Sequence, residues 1–433
     1  MLAFENAPPF AAPLRFFLTA PLFAMLAGLL VAFEGPDIFS SRWTPGALAA
    51  THLITIGFML QVMLGALIQI LPVVAGANLK RPLAVARSVN VGLSAGALLL
   101  AAGFLSGMPT LLGSAALILA LTVLLFLAAT VMALIGVPTT SPTIRGIKFA
   151  LFSLAGVVGL GVVLALGLAY GWSLPLVALV DLHAGWGLGG WAGVLLAAMA
   201  YVVVPMFQLT PGYPARSSWW FPVFMLLMLL LWSAALLTDW PLLARLGQLG
   251  AALAGIAFAG LTLRLQGKRR RARPDATYRY WQLGLTASIF ALFLLSTVAV
   301  WPAATDIDGW TLTFGVLLVA GGFLPFITGM LYKIVPFLSW MHLQNSGQAK
   351  VPAPAMNKIL SESEMHRQLL AYAAALALLL AAIFLPAWLA RPAGLAFAVA
   401  NGWLWWNLAS AIRRYRLHLA DIEAALVAKL ATP

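Results

Sequence analysis

Three stretches of this chain end alike, at nearly constant spacing. They read GFMLQVMLGALIQILPV (Gly57 to Val73), GWAGVLLAAMAYVVVPM (Gly190 to Met206) and GGFLPFITGMLYKIVPF (Gly321 to Phe337). Each has a Gly fifteen residues before a Pro, a small residue seven before it (Gly65, Ala198, Gly329) and an aliphatic pair directly before it. The prolines, Pro72, Pro205 and Pro336, are 133 and 131 residues apart. A fixed period of this kind marks a chain built from copies of one unit and restricts its folds accordingly.

The unit is membranous. The chain is 63% hydrophobic and 9% charged over 433 residues, outside the range of soluble domains. About 20 helical residues cross a bilayer core. Twelve apolar runs meet that length, at roughly 14–33, 47–75, 84–106, 110–136, 146–171, 178–207, 218–237, 241–263, 279–302, 309–340, 367–387 and 392–412. The three repeats are the long runs two, six and ten, so the period covers four helices. The expected fold is an all-α integral membrane protein of twelve transmembrane helices in three pseudo-symmetric four-helix arcs. It is one polytopic domain, with units at roughly 1–136, 137–263 and 264–412 and a C-terminal tail at 413–433. The N-terminus lacks the basic region and cleavage site of a secretory signal.

The net charge of +13 sits in loops and sets topology; it does not point to nucleic acid. Lys80, Arg81 and Arg87 follow run two, Arg145 and Lys148 run four, and Arg216 run six. The run KRRRAR (Lys268 to Arg273) follows run eight; Lys350, Lys358 and Arg367 follow run ten; Arg413, Arg414 and Arg416 follow run twelve. The alternate loops carry Glu34, Asp37, Asp181, Asp239, Asp306 and Asp308 against few basic residues. By the positive-inside rule both termini are cytoplasmic, and the expected location is a bacterial-type inner membrane. The stretch Leu343 to Met365, with Pro352 and Pro354, reads as a flexible cytoplasmic connection.

Orientation sorts the five histidines. His342, His366 and His418 fall at the cytoplasmic side. His52 and His183 each open a repeat helix at the external side. At about 1.5 Å per residue they stand roughly 30 and 33 Å from Pro72 and Pro205, hence at matching depth. An ionisable group in a span is a functional candidate, and imidazole ligates haem iron, copper and zinc. The bland alternative is a core or interfacial histidine satisfied by carbonyls or by Asp181. After His183 comes AGWGLGGW, where Gly185, Gly187, Gly189 and Gly190 would let a helix backbone or a flat cofactor approach. Trp186 and Trp191 would flank such a macrocycle or belong to the aromatic belt.

Other candidates are weaker. Met59 and Met63, with Met199 and Met206, offer thioethers suited to Cu(I), although such stripes usually fill cores. Lys333 lies deep in the third repeat, where Gln69 and Val202 hold the matching places; it either snorkels or handles protons or anions. Tyr201 and Tyr332 read as interfacial aromatics. The three prolines are expected to terminate the long helices. With no cysteine, thiolate metal sites and disulfides are excluded. No nucleotide-binding loop, paired-carboxylate site or HExxH is present, so hydrolytic chemistry has no support.

Twelve spans with THLITIGFMLQVMLGALIQILPVVAG (Thr51 to Gly76) and HAGWGLGGWAGVLLAAMAYVVVPMF (His183 to Phe207) resemble the catalytic subunit of the haem–copper oxidase superfamily. The chain also resembles divergent, non-oxidase members of the NnrS type. The likeness implies haem b as a cofactor, with copper second. His52 would be an axial ligand and His183 a second ligand to haem or metal, with Gly187 and Trp186 against the cofactor. It implies a place in respiratory or nitrosative-stress physiology and a respiratory redox partner. The chain departs from the oxidases at decisive points. Gly187 stands where the sixth-helix tyrosine would be, run seven (Ser218 to Ser233) has no histidine pair, and Gly309 to Phe323 has no haem ligands. The usual dinuclear centre cannot be built, so standard oxygen or nitric oxide reduction is not expected. A cofactor-free permease and an assembly partner of a respiratory complex are the alternatives.

Overall fold

The computed structural model describes residues 6–270, 273–348 and 350–431. Part of the basic run Lys268 to Arg273 and the first five residues lie outside these. Among the described residues all regular structure is helical. The long helices are α1 (Ala11–Glu34), α2 (Pro45–Ala75), α3 (Pro82–Ser106), α4 (Pro109–Leu134), α5 (Pro142–Tyr170), α6 (Leu176–Gln208), α7 (Ala215–Leu237), α8 (Pro241–Gly267), α9 (Ala276–Val300), α10 (Trp310–Ser346), α11 (Glu362–Phe384) and α12 (Pro386–Ala431). Eleven of them, α1 to α11, are long and apolar enough to cross a membrane. The helix α12 is not among the eleven. Its run carries Asn401 and Asn407, both buried, and Asn407 Nδ2 donates to the Tyr332 hydroxyl of α10 at 2.9 Å. The outward faces are apolar: Leu117, Leu121 and Leu124 on α4 and Phe290 and Phe293 on α9 are exposed. Such surfaces belong in a lipid bilayer.

The three repeat helices share one irregularity. Each opens as α-helix, passes into an eight-residue π-helical segment and returns to α-helix. The segments are Leu53–Leu60, Trp186–Gly193 and Val316–Phe323. π-Helix is rare and usually confined to one turn, often at functional sites. The glycine fifteen residues before each Pro lies inside its segment and meets the preceding helix. A Cβ on Gly57 would lie 2.3 Å from Phe23 Cδ1 of α1, one on Gly190 2.9 Å from Ser153 Oγ of α5, and one on Gly321 2.8 Å from Ala287 Cβ of α9. The small residues seven before the prolines repeat the pattern. Gly65 packs on Phe16, Ala198 on Gly146 and Gly329 on Tyr280. The shared sequence period is therefore the imprint of one packing contact, each long helix pressed against the helix before it. In α10 the widened backbone frees the Ala320 carbonyl for Tyr372 of α11, whose hydroxyl donates to it at 2.6 Å.

The prolines do not terminate the helices, contrary to expectation. Pro72, Pro205 and Pro336 are internal. Termination of α2 falls to Gly76, at φ +62°, whose N–H returns to the Leu71 and Pro72 carbonyls. The helix α10 runs on to Ser346. The tail beyond 412 continues α12. The connection expected to be flexible is tied down: Ile359 and Leu360 are buried, and Arg414 bonds both the Ile359 carbonyl (3.1 Å) and the Glu364 carboxylate (2.7 and 3.0 Å). Ser361 and Glu364 form a capping box at the start of α11.

Neighbours along the chain pack together, and α12 closes against α1 as well as α11. The α1–α12 contact is backbone to backbone. A Cβ on Gly28 would stand 2.5 Å from Ala398 N, and one on Gly394 2.4 Å from Ala32 N.

Candidate functional site

His52 and His183 meet. Their ring centroids are 6.3 Å apart, with the planes 22° from parallel. His52 is the last residue of α2 before its π segment, and His183 lies three residues before the π segment of α6. Each Nδ1 faces a carbonyl oxygen: Leu48 O at 2.8 Å for His52, Val157 O of α5 at 3.1 Å for His183. A carbonyl can only accept, so each neutral ring carries its proton on Nδ1 and presents the Nε2 lone pair. Metal-ligating histidines are commonly held in this way, with the second nitrogen donating to a carbonyl. Both residues are partly exposed at this end of the bundle.

The surrounding residues explain the placement. Gly161 of α5 leaves room for the His183 ring to reach across to the α5 backbone; a Cβ there would be 3.1 Å from Cε1. Phe104 of α3 stands 5.2 Å from the His52 ring. Arg42 and Asp181 form an ion pair at 3.0 Å that joins the α1–α2 loop to the first turns of α6.

The other sequence candidates are placed as follows. Gly187 faces the Val157 side chain at 3.7 Å, one turn beyond His183 and beside its anchoring carbonyl. Trp186 is buried; its Nε1 donates to Ser233 Oγ of α7 at 2.8 Å, and it lies edge-on to Phe152. It ties α6 to α7 away from the imidazole pair. Gly185 and Gly190 are filled by Trp232 and Ser153, so the glycine run serves helix packing there. Met59 is buried in the core. Met63, Met199 and Met206 line a central apolar cavity of about 140 Å³, together with Met330, which the sequence reading did not single out. Lys333 is paired with Asp275, which caps α9, at 3.1 Å. His342 bonds the Tyr415 hydroxyl at 2.8 Å and lies at the opposite end of the long helices.

The donor set decides what the pair could hold. Among the described residues no group of three or more His, Cys, Asp or Glu side chains could hold a metal. An ion here would take two imidazoles from the protein and find its other ligands elsewhere. Haem iron does so, because the macrocycle supplies the equatorial nitrogens; a copper ion with two imidazoles is the simpler fit. Phe104 occupies one flank that a macrocycle would cover. Gly161 and Phe104 were missed by sequence reasoning, and nothing in the one-dimensional pattern marks either.

No family model matches the chain, and no curated protein matches it.

Proposed function

We propose that this protein is a twelve-span membrane protein on an oxidase-like scaffold that holds a metal-centred cofactor, haem b or a copper ion, between His52 and His183. One observation carries the reading. Two histidines on repeat-equivalent helices, 131 residues apart in sequence, meet with ring centroids at 6.3 Å and both Nδ1 atoms committed to carbonyls. Two imidazoles anchored through Nδ1 are donors that would suit a haem iron or a copper ion. Leu48 and Val157 hold the ring orientations and increase ligand basicity, while Gly161 admits the His183 ring. The cofactor would supply redox or diatomic-ligand chemistry, which suits a respiratory or nitrosative-stress role without the oxidase dinuclear centre. The further spans and arcs follow from the same scaffold. Leu395, Val399 and Trp406 give α12 an exposed apolar stripe, its asparagines turn inward, and basic loops alternate so that both termini are cytoplasmic.

The test is a pyridine haemochrome spectrum with metal analysis on protein expressed with ample haem and copper. A Soret band, or about one copper per chain, lost in His52→Ala and in His183→Ala, is expected. Colourless, metal-free wild-type protein would overturn the reading. A second reading, a cofactor-free permease, has its own motivation in the irregular backbones of α2, α6 and α10 around a central cavity. Metal-free protein that transports a solute would establish it.

A further inference from the structure

The central cavity is a second, independent feature. Its lining comes almost entirely from α2, α6 and α10, and repeat-equivalent positions recur around it. Counted from each Pro, Val62, Leu195 and Phe326 lie ten before, Met63, Leu196 and Ile327 nine before, Ala66, Met199 and Met330 six before, and Ile70, Val203 and Ile334 two before. The spacing is that of one helical face. The three helices therefore turn the same face to a common pseudo-threefold axis.

That face is rich in thioether. Each helix contributes at least one methionine: Met63 from α2, Met199 and Met206 from α6, Met330 from α10. Met199 and Met330 occupy the same level, six residues before their prolines. At that level α2 carries Ala66, which leaves space, and its methionine stands one turn away. With about 1.5 Å rise per residue, Met63, Met199 and Met330 fall within roughly 4.5 Å along the axis. The lining offers no carboxylate, imidazole or hydroxyl; Gln69 and Trp281 are its polar-bearing side chains. Hard, strongly hydrated cations and anions find no ligands in such a place. A soft monovalent ion that sheds water for sulfur does.

We propose that Met63, Met199 and Met330 form a three-thioether site for Cu(I), or its surrogate Ag(I), on the pseudo-threefold axis, separate from the histidine pair. It does not rest on the reading of His52 and His183. Met206, seven residues further along α6, extends the thioether path toward the proline end.

The test uses the full chain in detergent, loaded with Ag(I), or with Cu(I) under anaerobic reducing conditions against a chromogenic chelator. Bound ion is counted by mass spectrometry for wild type, for Met63→Leu/Met199→Leu/Met330→Leu and for His52→Ala/His183→Ala. Methionine to leucine nearly conserves volume. The triple variant should lose one equivalent that the histidine variant retains. X-ray absorption of Cu(I)-loaded histidine variant should show a sulfur-only first shell. Undiminished binding in a folded triple variant, or a shell of nitrogen and oxygen alone, would overturn the proposal and leave the methionines as core filling. If the triple variant does not elute as folded protein, the absorption spectrum and the single Met199→Leu variant decide in the same way.

Discussion

The imidazoles of His52 and His183 lie 6.3 Å apart although their helices are separated by more than a hundred residues, and Gly161 is what lets the second ring in. Adding a branched side chain at Gly161 should push His183 off the Val157 carbonyl. Gly161→Val is expected to weaken retention of the bound metal or haem about 10–100-fold, as loss of an orienting partner does. Gly156→Val on the same helix is the control, because nothing lies within 4 Å of a Cβ there. Equal cofactor content in the two variants, measured per folded protein, would separate Gly161 from the site.

The two kinds of close glycine contact should respond differently to repair. Gly57→Ala meets the Phe23 ring, whereas Gly28→Ala meets the Ala398 backbone. Overpacking costs about 1–3 kcal/mol, and a side chain can be trimmed while a backbone cannot. Thermal unfolding in detergent should show Gly57→Ala partly rescued by Phe23→Ala, which removes the ring atoms at 2.3 and 2.4 Å. Gly28→Ala should lower the midpoint at least as far, with no rescue from trimming nearby side chains.

Asp275 has two tasks. One carboxylate oxygen accepts the Tyr278 N–H at 2.9 Å as the cap of α9, and the other faces Lys333 Nζ at 3.1 Å. Asp275→Ala removes both and should cost about 3–5 kcal/mol, the range for breaking a buried pair from one side. Asp275→Asn keeps an oxygen for the cap and should cost less. A denaturation series that ranks asparagine below alanine would contradict this division.

Because the chain has no cysteine, single cysteines report topology cleanly. Thr305, between α9 and α10, and Thr140, between α4 and α5, are both exposed. On intact right-side-out vesicles an impermeant maleimide should label Thr305→Cys at once and Thr140→Cys only after permeabilisation. The opposite pattern would invert the orientation drawn from the basic loops.

Much of the architecture was legible in the sequence because a bilayer enforces it. Long apolar runs must be helical where no water satisfies the backbone, so α2, α6 and α10 stood out by length alone. The matching depth of His52 and His183 followed from helical rise. The prolines misled in part: α2 and α6 end three residues after Pro72 and Pro205, whereas α10 runs past Pro336 to Ser346. Asn401 and Asn407 dilute the apolar character of α12, yet both are buried, with Asn401 Nδ2 donating to the Phe397 carbonyl and Asn407 Nδ2 to the Tyr332 hydroxyl. The partner of the Trp186 indole N–H, Ser233 of α7, was not legible in the sequence.

By itself the amino-acid sequence determined the apolar helices, the alternation of basic loops and the threefold recurrence of small residues before a proline. These depend on composition and on spacing along one helix. Tertiary structure alone decided that the recurrence records contacts with α1, α5 and α9, and that the contacts of Gly57, Gly190 and Gly321 lie in π-helical segments. It also decided that Met63, Met199 and Met330, from three helices, line one cavity, and that the imidazoles of His52 and His183 meet. Those outcomes depend on the rotation of each helix about its own axis. That rotation is set by which side chains interlock across helices, a relation between distant residues that spacing along one helix does not carry.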